Sequence, residues 1–146
     1  METNSTQFKE RGSMGEMAVE GLFAGIAAGI AMLVYLLVSG MLTGVAASVM
    51  AGHFSIQVPP NPLQGALLHL AVSAIYGMLF GIIWIFAGRR ISCWVAAVLY
   101  ALAIYLLAVY VLLPSTGSPL LEIAPLHFGL AHLVYGLGLG FWFRSK

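Results

Sequence analysis

Four long apolar stretches, separated by short polar segments, set the pattern of the chain. They cover residues 17–42, 63–87, 91–113 and 125–143. A helix needs about 20 mostly apolar residues to cross the hydrocarbon core of a bilayer. Transmembrane β-strands would instead alternate apolar and polar residues over about ten positions, and these stretches are longer and do not alternate. The pattern therefore predicts an all-α protein, an integral membrane four-helix bundle.

The composition excludes other classes of protein. The chain of 146 residues is 61% hydrophobic and 8% charged, whereas a soluble domain carries about 25% charged residues. So few charges cannot cover a water-facing surface. The net charge of +1 and the lack of a basic run give no basis for nucleic-acid binding. The single cysteine, Cys93, excludes an internal disulfide and a cysteine-based metal cluster. We expect the lipid bilayer to be the main environment.

Basic residues set the predicted orientation. All six lysines and arginines lie before the first stretch, between the second and third, or after the fourth: Lys9, Arg11, Arg89, Arg90, Arg144 and Lys146. With four spans these positions share one side of the membrane, and basic residues favour the cytoplasmic side. We expect a multi-pass protein of the bacterial inner (plasma) membrane, with a cytoplasmic tail at 1–16, a membrane domain at 17–143 and a cytoplasmic end at 144–146.

Two features concern the ends of the first helix. Ser13 and Glu16 have the spacing of a capping box, which predicts that this helix begins before the membrane does. The segment "VAASVMAG" after it either extends the helix or lies along the interface as a short helix. Three prolines then impose an extended turn. We expect the outer connections to serve as links, with His53 solvated.

Glycines at four-residue spacing predict where helices approach closely. The first helix carries Gly21, Gly25 and Gly29. This face either contacts another helix of the bundle or docks a partner subunit. The other predicted packing glycines lie in the second and fourth helices: Gly77, Gly81, Gly136 and Gly140.

A faint internal repeat accompanies these glycines. The segment "SAIYGMLFG" in the second helix aligns with "HLVYGLGLG" in the fourth. In addition, "AMLVYLLV" in the first helix is similar to "ALAIYLLAV" in the third. This pattern suggests two repeated helical hairpins related by an axis along the membrane normal.

Two histidines lie at matching depths on parallel helices. His69 is in the outer half of the second helix, and His132 is in the outer half of the fourth. Ser73 and Tyr76 share the helical face of His69, and Tyr135 lies near His132. Ionisable groups in a membrane generally face the bundle interior. We therefore predict a polar interior built by these five residues.

The histidines leave several interpretations open. His69 and His132 have the placement to ligate a haem b axially. A copper or zinc ion held by His127, His132 and Glu122 is another reading, because imidazole suits these metals. The interpretation we favour has each histidine hydrogen-bonded to a tyrosine, a serine or a carbonyl across helices, an interaction worth about 1 kcal/mol.

The motifs point away from catalysis. The sequence has no Walker A loop, GxSxG elbow or HExxH motif, and we expect no enzyme. The glycine-rich first helix, the proline-rich outer loop and the closing "AHLVYGLGLG" resemble uncharacterised four-helix bacterial membrane proteins. Some of those are associated with respiratory or other energy-converting complexes.

The small size, the absence of catalytic motifs and the glycine-rich surface favour a non-catalytic accessory subunit of a larger membrane complex. The resemblance implies that this complex serves energy conversion or electron transfer. Such a subunit would dock on other membrane subunits through its glycine-rich helix faces. A haem- or metal-binding membrane protein is one alternative. A small homo-oligomeric transporter or channel is the other.

Overall fold

The computed structural model describes residues 13–87 and 91–145. Within these residues every regular element is helical. The elements are α1 (Met14–Leu42), α2 (Ala47–Gly52), α3 (Pro62–Ala87), α4 (Cys93–Leu107), a π-helical segment (Ala108–Leu112), α5 (Leu113–Thr116), a 3₁₀ segment (Pro119–Glu122) and α6 (Pro125–Phe143).

Four of the described helical stretches are long and apolar enough to cross a membrane. They are Met14–Leu42, Pro62–Phe86, Cys93–Thr116 and Pro125–Phe143. The predicted class, an all-α bundle of four membrane-spanning helices, is therefore confirmed. The third predicted stretch differs most from its helix. It begins at Cys93 rather than at position 91, and it continues through the π-helical segment to Thr116.

Side-chain caps account for two helix starts. The Ser13 hydroxyl accepts a hydrogen bond from the Glu16 amide, and the Glu16 carboxylate accepts one from the Ser13 amide, which completes the predicted capping box. The sequence analysis did not predict the cap of α3. There, the Asn61 side-chain oxygen accepts from the amides of Leu63 and Gln64 at 3.0 and 3.2 Å. Each cap satisfies amides that the helix itself leaves unpaired.

Glycines bring α1 and α3 into backbone contact. A Cβ atom added at Gly21 would meet the Gly77 carbonyl, and one added at Gly25 would stand 2.8 Å from the Gly77 Cα. Gly81 lies in the same way against the Met17 carbonyl. The α1 glycine face is therefore filled by α3. The expectation that this face docks a partner subunit is corrected, because the face is already occupied within the chain.

The glycines of α6 are filled from within as well. A Cβ added at Gly136 would stand 2.8 Å from the Ala101 Cβ, and one at Gly140 would stand 2.8 Å from Trp94 Cε3. Both neighbours belong to α4. Small residues thus set the α4–α6 contact too, and α1 is the helix that packs on both α3 and α6. By contrast, α3 and α4 touch each other little, so the bundle is loosest between these two helices.

The first outer connection folds back onto the bundle. The segment "VAASVMAG" forms the separate short helix α2 rather than an extension of α1. It crosses α3 where Gly65 meets the Ala51 carbonyl. The Ser55 hydroxyl donates to Gln64 Oε1 at 2.7 Å and tethers the loop that follows. His53 is half-buried here. The expectation that it would be solvated is therefore wrong, since α2 presses this loop against α3.

Candidate functional site

A cavity of about 270 Å³ lies in the half of the bundle opposite the chain termini, which is the outer half in the predicted topology. Its walls come from α3, from α6 and from the C-terminal half of the helical stretch Cys93–Thr116. Its roof comes from the loop after α2. The residues discussed below that line it are His69, Ser73, Tyr76, His132, Tyr135 and Phe54. Five of these six are the residues that helical periodicity assigned to a polar interior.

His69 is buried and its proton position is set by α1. Its Nε2 atom lies 3.0 Å from the Gly29 carbonyl oxygen. A carbonyl oxygen only accepts, so Nε2 carries the hydrogen and donates it. The Phe54 ring packs edge-on against the imidazole, with centroids 4.7 Å apart. His69 is 6% exposed, and it ties α3 to α1 at the level of the last glycine of the α1 face.

His132 is equally buried and is bonded within its own helix. Its Nδ1 atom lies 2.8 Å from the Phe128 carbonyl oxygen, so by the same reasoning Nδ1 donates. The rings of Phe128 and Tyr105 pack edge-on at 4.6 and 5.5 Å between centroids. The interpretation we favoured from the sequence had this histidine bonded across helices. The structure instead uses the carbonyl one turn earlier in α6.

The second ring nitrogen of each histidine has no protein partner. Within the described chain, no hydrogen bond reaches Nδ1 of His69 or Nε2 of His132. In a neutral imidazole with one N–H, the other nitrogen is an acceptor. Charging such a group inside a membrane is costly. The cavity is therefore lined by two residues that each hold an unused hydrogen-bond acceptor.

Tyrosines hold the floor of the cavity. The Tyr135 hydroxyl donates to the Ser73 carbonyl at 2.7 Å, across from α6 to α3. The Tyr100 hydroxyl donates to the Tyr76 carbonyl at 2.6 Å, across from α4 to α3. Below this level, Phe80, Leu139 and Phe143 are almost completely buried and fill the centre of the bundle. The cavity thus ends at the tyrosines.

The roof joins the two outer connections. His53 Nε2 lies 3.6 Å from the Glu122 carboxylate, which belongs to the 3₁₀ segment before α6. His53 Nδ1 is buried without a hydrogen-bond partner. Glu122 is largely exposed, so this pair contributes little to stability. The place of Phe54 in this roof was not predicted, because a lone aromatic residue in a loop follows no helical periodicity.

One side of the cavity is bordered by exposed apolar side chains. Val72 on α3 and Leu112 in the π-helical segment both line it, and they are 48% and 43% exposed. They lie on either side of the loose contact between α3 and α4. The cavity therefore reaches the exposed surface of the bundle between α3 and α4.

The predicted metal ligands are not brought together. His127 Nδ1 lies 3.2 Å from the Tyr35 hydroxyl, Glu122 lies beside His53, and His132 is bonded to Phe128. Within the described residues, no three histidine, cysteine, aspartate or glutamate side chains form a group that would hold a metal ion. The copper or zinc site at His127, His132 and Glu122 is therefore corrected.

The haem alternative is restricted by the hydrogen bond of His69. His69 and His132 line one cavity, but His69 has committed Nε2 to Gly29. Only Nδ1, the nitrogen next to the ring's attachment to Cβ, would remain for iron.

Comparisons with protein-family models, with curated proteins and with solved structures find no match to this chain.

Proposed function

We propose that this chain is a non-catalytic membrane protein that binds a small, mostly apolar molecule taken up from the lipid. The observation that carries the proposal is the lipid-facing cavity lined by two buried histidines. Small-molecule sites are typically concave and mostly apolar, with a few placed polar groups. Here the apolar part includes Phe54, Val72 and Leu112, and the polar part is His69 and His132.

The size of the cavity limits the ligand. A dry apolar cavity of about 150 Å³ accepts benzene. A volume of about 270 Å³ therefore has room for two fused aromatic rings or a compact branched hydrocarbon. Longer molecules would extend past Val72 into the bilayer, because the cavity is open on that side.

Filling the cavity tests the proposal. We expect 2-methoxynaphthalene to bind the purified protein in nanodiscs, as measured by titration of its fluorescence. Ala108 lines the cavity from the π-helical segment, so Ala108→Trp is expected to weaken binding at least about tenfold through steric exclusion. The matched control is Ala103→Trp, on the lipid-exposed face of the same stretch. Equal binding by both variants would contradict the proposal.

Two other functions stay predictions. An accessory subunit of an energy-converting complex would have to bind its partner away from the glycine faces, which are filled by the chain's own helices. A transporter or channel would need a second copy or another conformation, since Phe80, Leu139 and Phe143 fill the inner half. Purification from native membranes with larger subunits would favour the first, and flux into liposomes would favour the second.

A further inference from the structure

We infer that the molecule bound in this cavity carries a hydroxyl group, which donates a hydrogen bond to His132 or His69, an inference that rests on the proposed function. The ligand class is then a hydroxylated hydrocarbon: a phenol or a compact alcohol with an otherwise apolar body. A ketone or an ether of the same shape would bind less tightly.

The chain itself fixes the acceptor character of both histidines. Gly29 and Phe128 each present a carbonyl oxygen to one ring nitrogen, at 3.0 and 2.8 Å. Turning either imidazole into a donor toward the cavity would set a bare nitrogen against a carbonyl oxygen and lose that hydrogen bond. The neutral ring therefore has one role left for the cavity, which is to accept.

Unused acceptors make the site selective. When an apolar ligand fills the cavity, it displaces water that would otherwise satisfy these nitrogens, and a buried acceptor without a partner is unfavourable. A hydroxyl group restores the hydrogen bond. Sites built around a polar group discriminate strongly against analogues that lack its partner. Methylating the ligand's hydroxyl is thus expected to remove the interaction while keeping the apolar contacts.

The remaining polar groups favour a hydroxyl over a carbonyl. The side-chain hydroxyls of Ser73 and Tyr76 belong to residues that line the same cavity, and a hydroxyl can turn to donate or accept. A ligand hydroxyl can therefore donate to an imidazole and accept from one of these groups. A carbonyl or ether oxygen can only accept, and it leaves both histidine nitrogens unpaired.

A matched ligand pair tests this inference. The full-length protein in nanodiscs is titrated with 2-naphthol and with 2-methoxynaphthalene, and each signal is corrected for partition into empty nanodiscs. The same pair is measured on His132→Leu and on the control His127→Leu. His127 is a partly buried histidine bonded to Tyr35 outside the cavity. Should His132→Leu fail to fold, His69→Leu carries the same comparison.

The wild-type protein and His127→Leu are expected to bind 2-naphthol about tenfold more tightly than the methoxy compound, which corresponds to one buried hydrogen bond. That preference is expected to fall to about twofold or less in His132→Leu, in His69→Leu or in both, according to which imidazole accepts the hydrogen bond. Equal affinity of the wild-type protein for both ligands, or a preference that survives in His132→Leu and His69→Leu, overturns the hydroxyl inference and leaves the proposed function standing. Binding of neither ligand overturns the proposed function itself.

Discussion

Tyr135 offers a test at the scale of single residues. Its hydroxyl donates to the Ser73 carbonyl and is buried, so Tyr135→Phe removes one hydrogen bond between helices without changing packing volume much. We expect a loss of about 1 kcal/mol in the free energy of unfolding, measured by titration with denaturing detergent. The control Tyr110→Phe alters a side chain that is 74% exposed and should leave the midpoint unchanged. Equal midpoints for both variants would show that the Tyr135 bond adds no stability.

The residues that line the cavity were predictable only in part. Helical periodicity placed His69, Ser73 and His132 on inward faces, and all three line the cavity. The sequence could not supply the hydrogen-bonding roles of the imidazoles. Those depend on which carbonyl lies within reach of which nitrogen, and one of the two carbonyls, that of Gly29, belongs to a different helix. The position of Phe54 was not predictable either, since it depends on how a loop folds back.

At the scale of helices, the long elements were predictable and the short ones were not. Four apolar stretches and a capping box were enough to locate the spans, because membrane crossing imposes a minimum length on each helix. The short helix α2 and the π-helical segment at Ala108–Leu112 have no such constraint. Both follow from how their neighbours pack. The π-helical segment and the loop after α2 line the cavity.

Gly25 tests the contact between α1 and α3. A Cβ atom at this position would stand 2.8 Å from the Gly77 Cα and would also meet the Ser73 carbonyl. Gly25→Ala is therefore expected to force the two backbones apart and to destabilise the protein by about 1–3 kcal/mol. Gly15→Ala is the matched control in the same helix, since its Cβ would find only the Ser13 hydroxyl, at 3.9 Å. A Gly25→Ala protein as stable as Gly15→Ala would refute this close approach.

For the whole molecule, the membrane orientation rests on the distribution of basic residues. Cysteine labelling tests the predicted cytoplasmic location of both termini. In a Cys93→Ser background, cysteines introduced at Ser115 and Ser145 occupy exposed positions at opposite ends of the bundle. A membrane-impermeant maleimide should label Ser115→Cys in intact cells and Ser145→Cys only after lysis. The reverse pattern would invert the topology.

Photolabelling locates the bound ligand directly and tests whether it occupies the cavity. A 2-naphthol derivative carrying a small diazirine can be activated by light in nanodiscs, and the labelled peptides can be read by mass spectrometry. We expect labelling at Phe54, Ala108 and residues around His132, and we expect excess 2-naphthol to suppress it. A specific site in this cavity would be contradicted if excess 2-naphthol did not suppress the labelling and if the label were spread over exposed side chains such as Leu99 and Phe141.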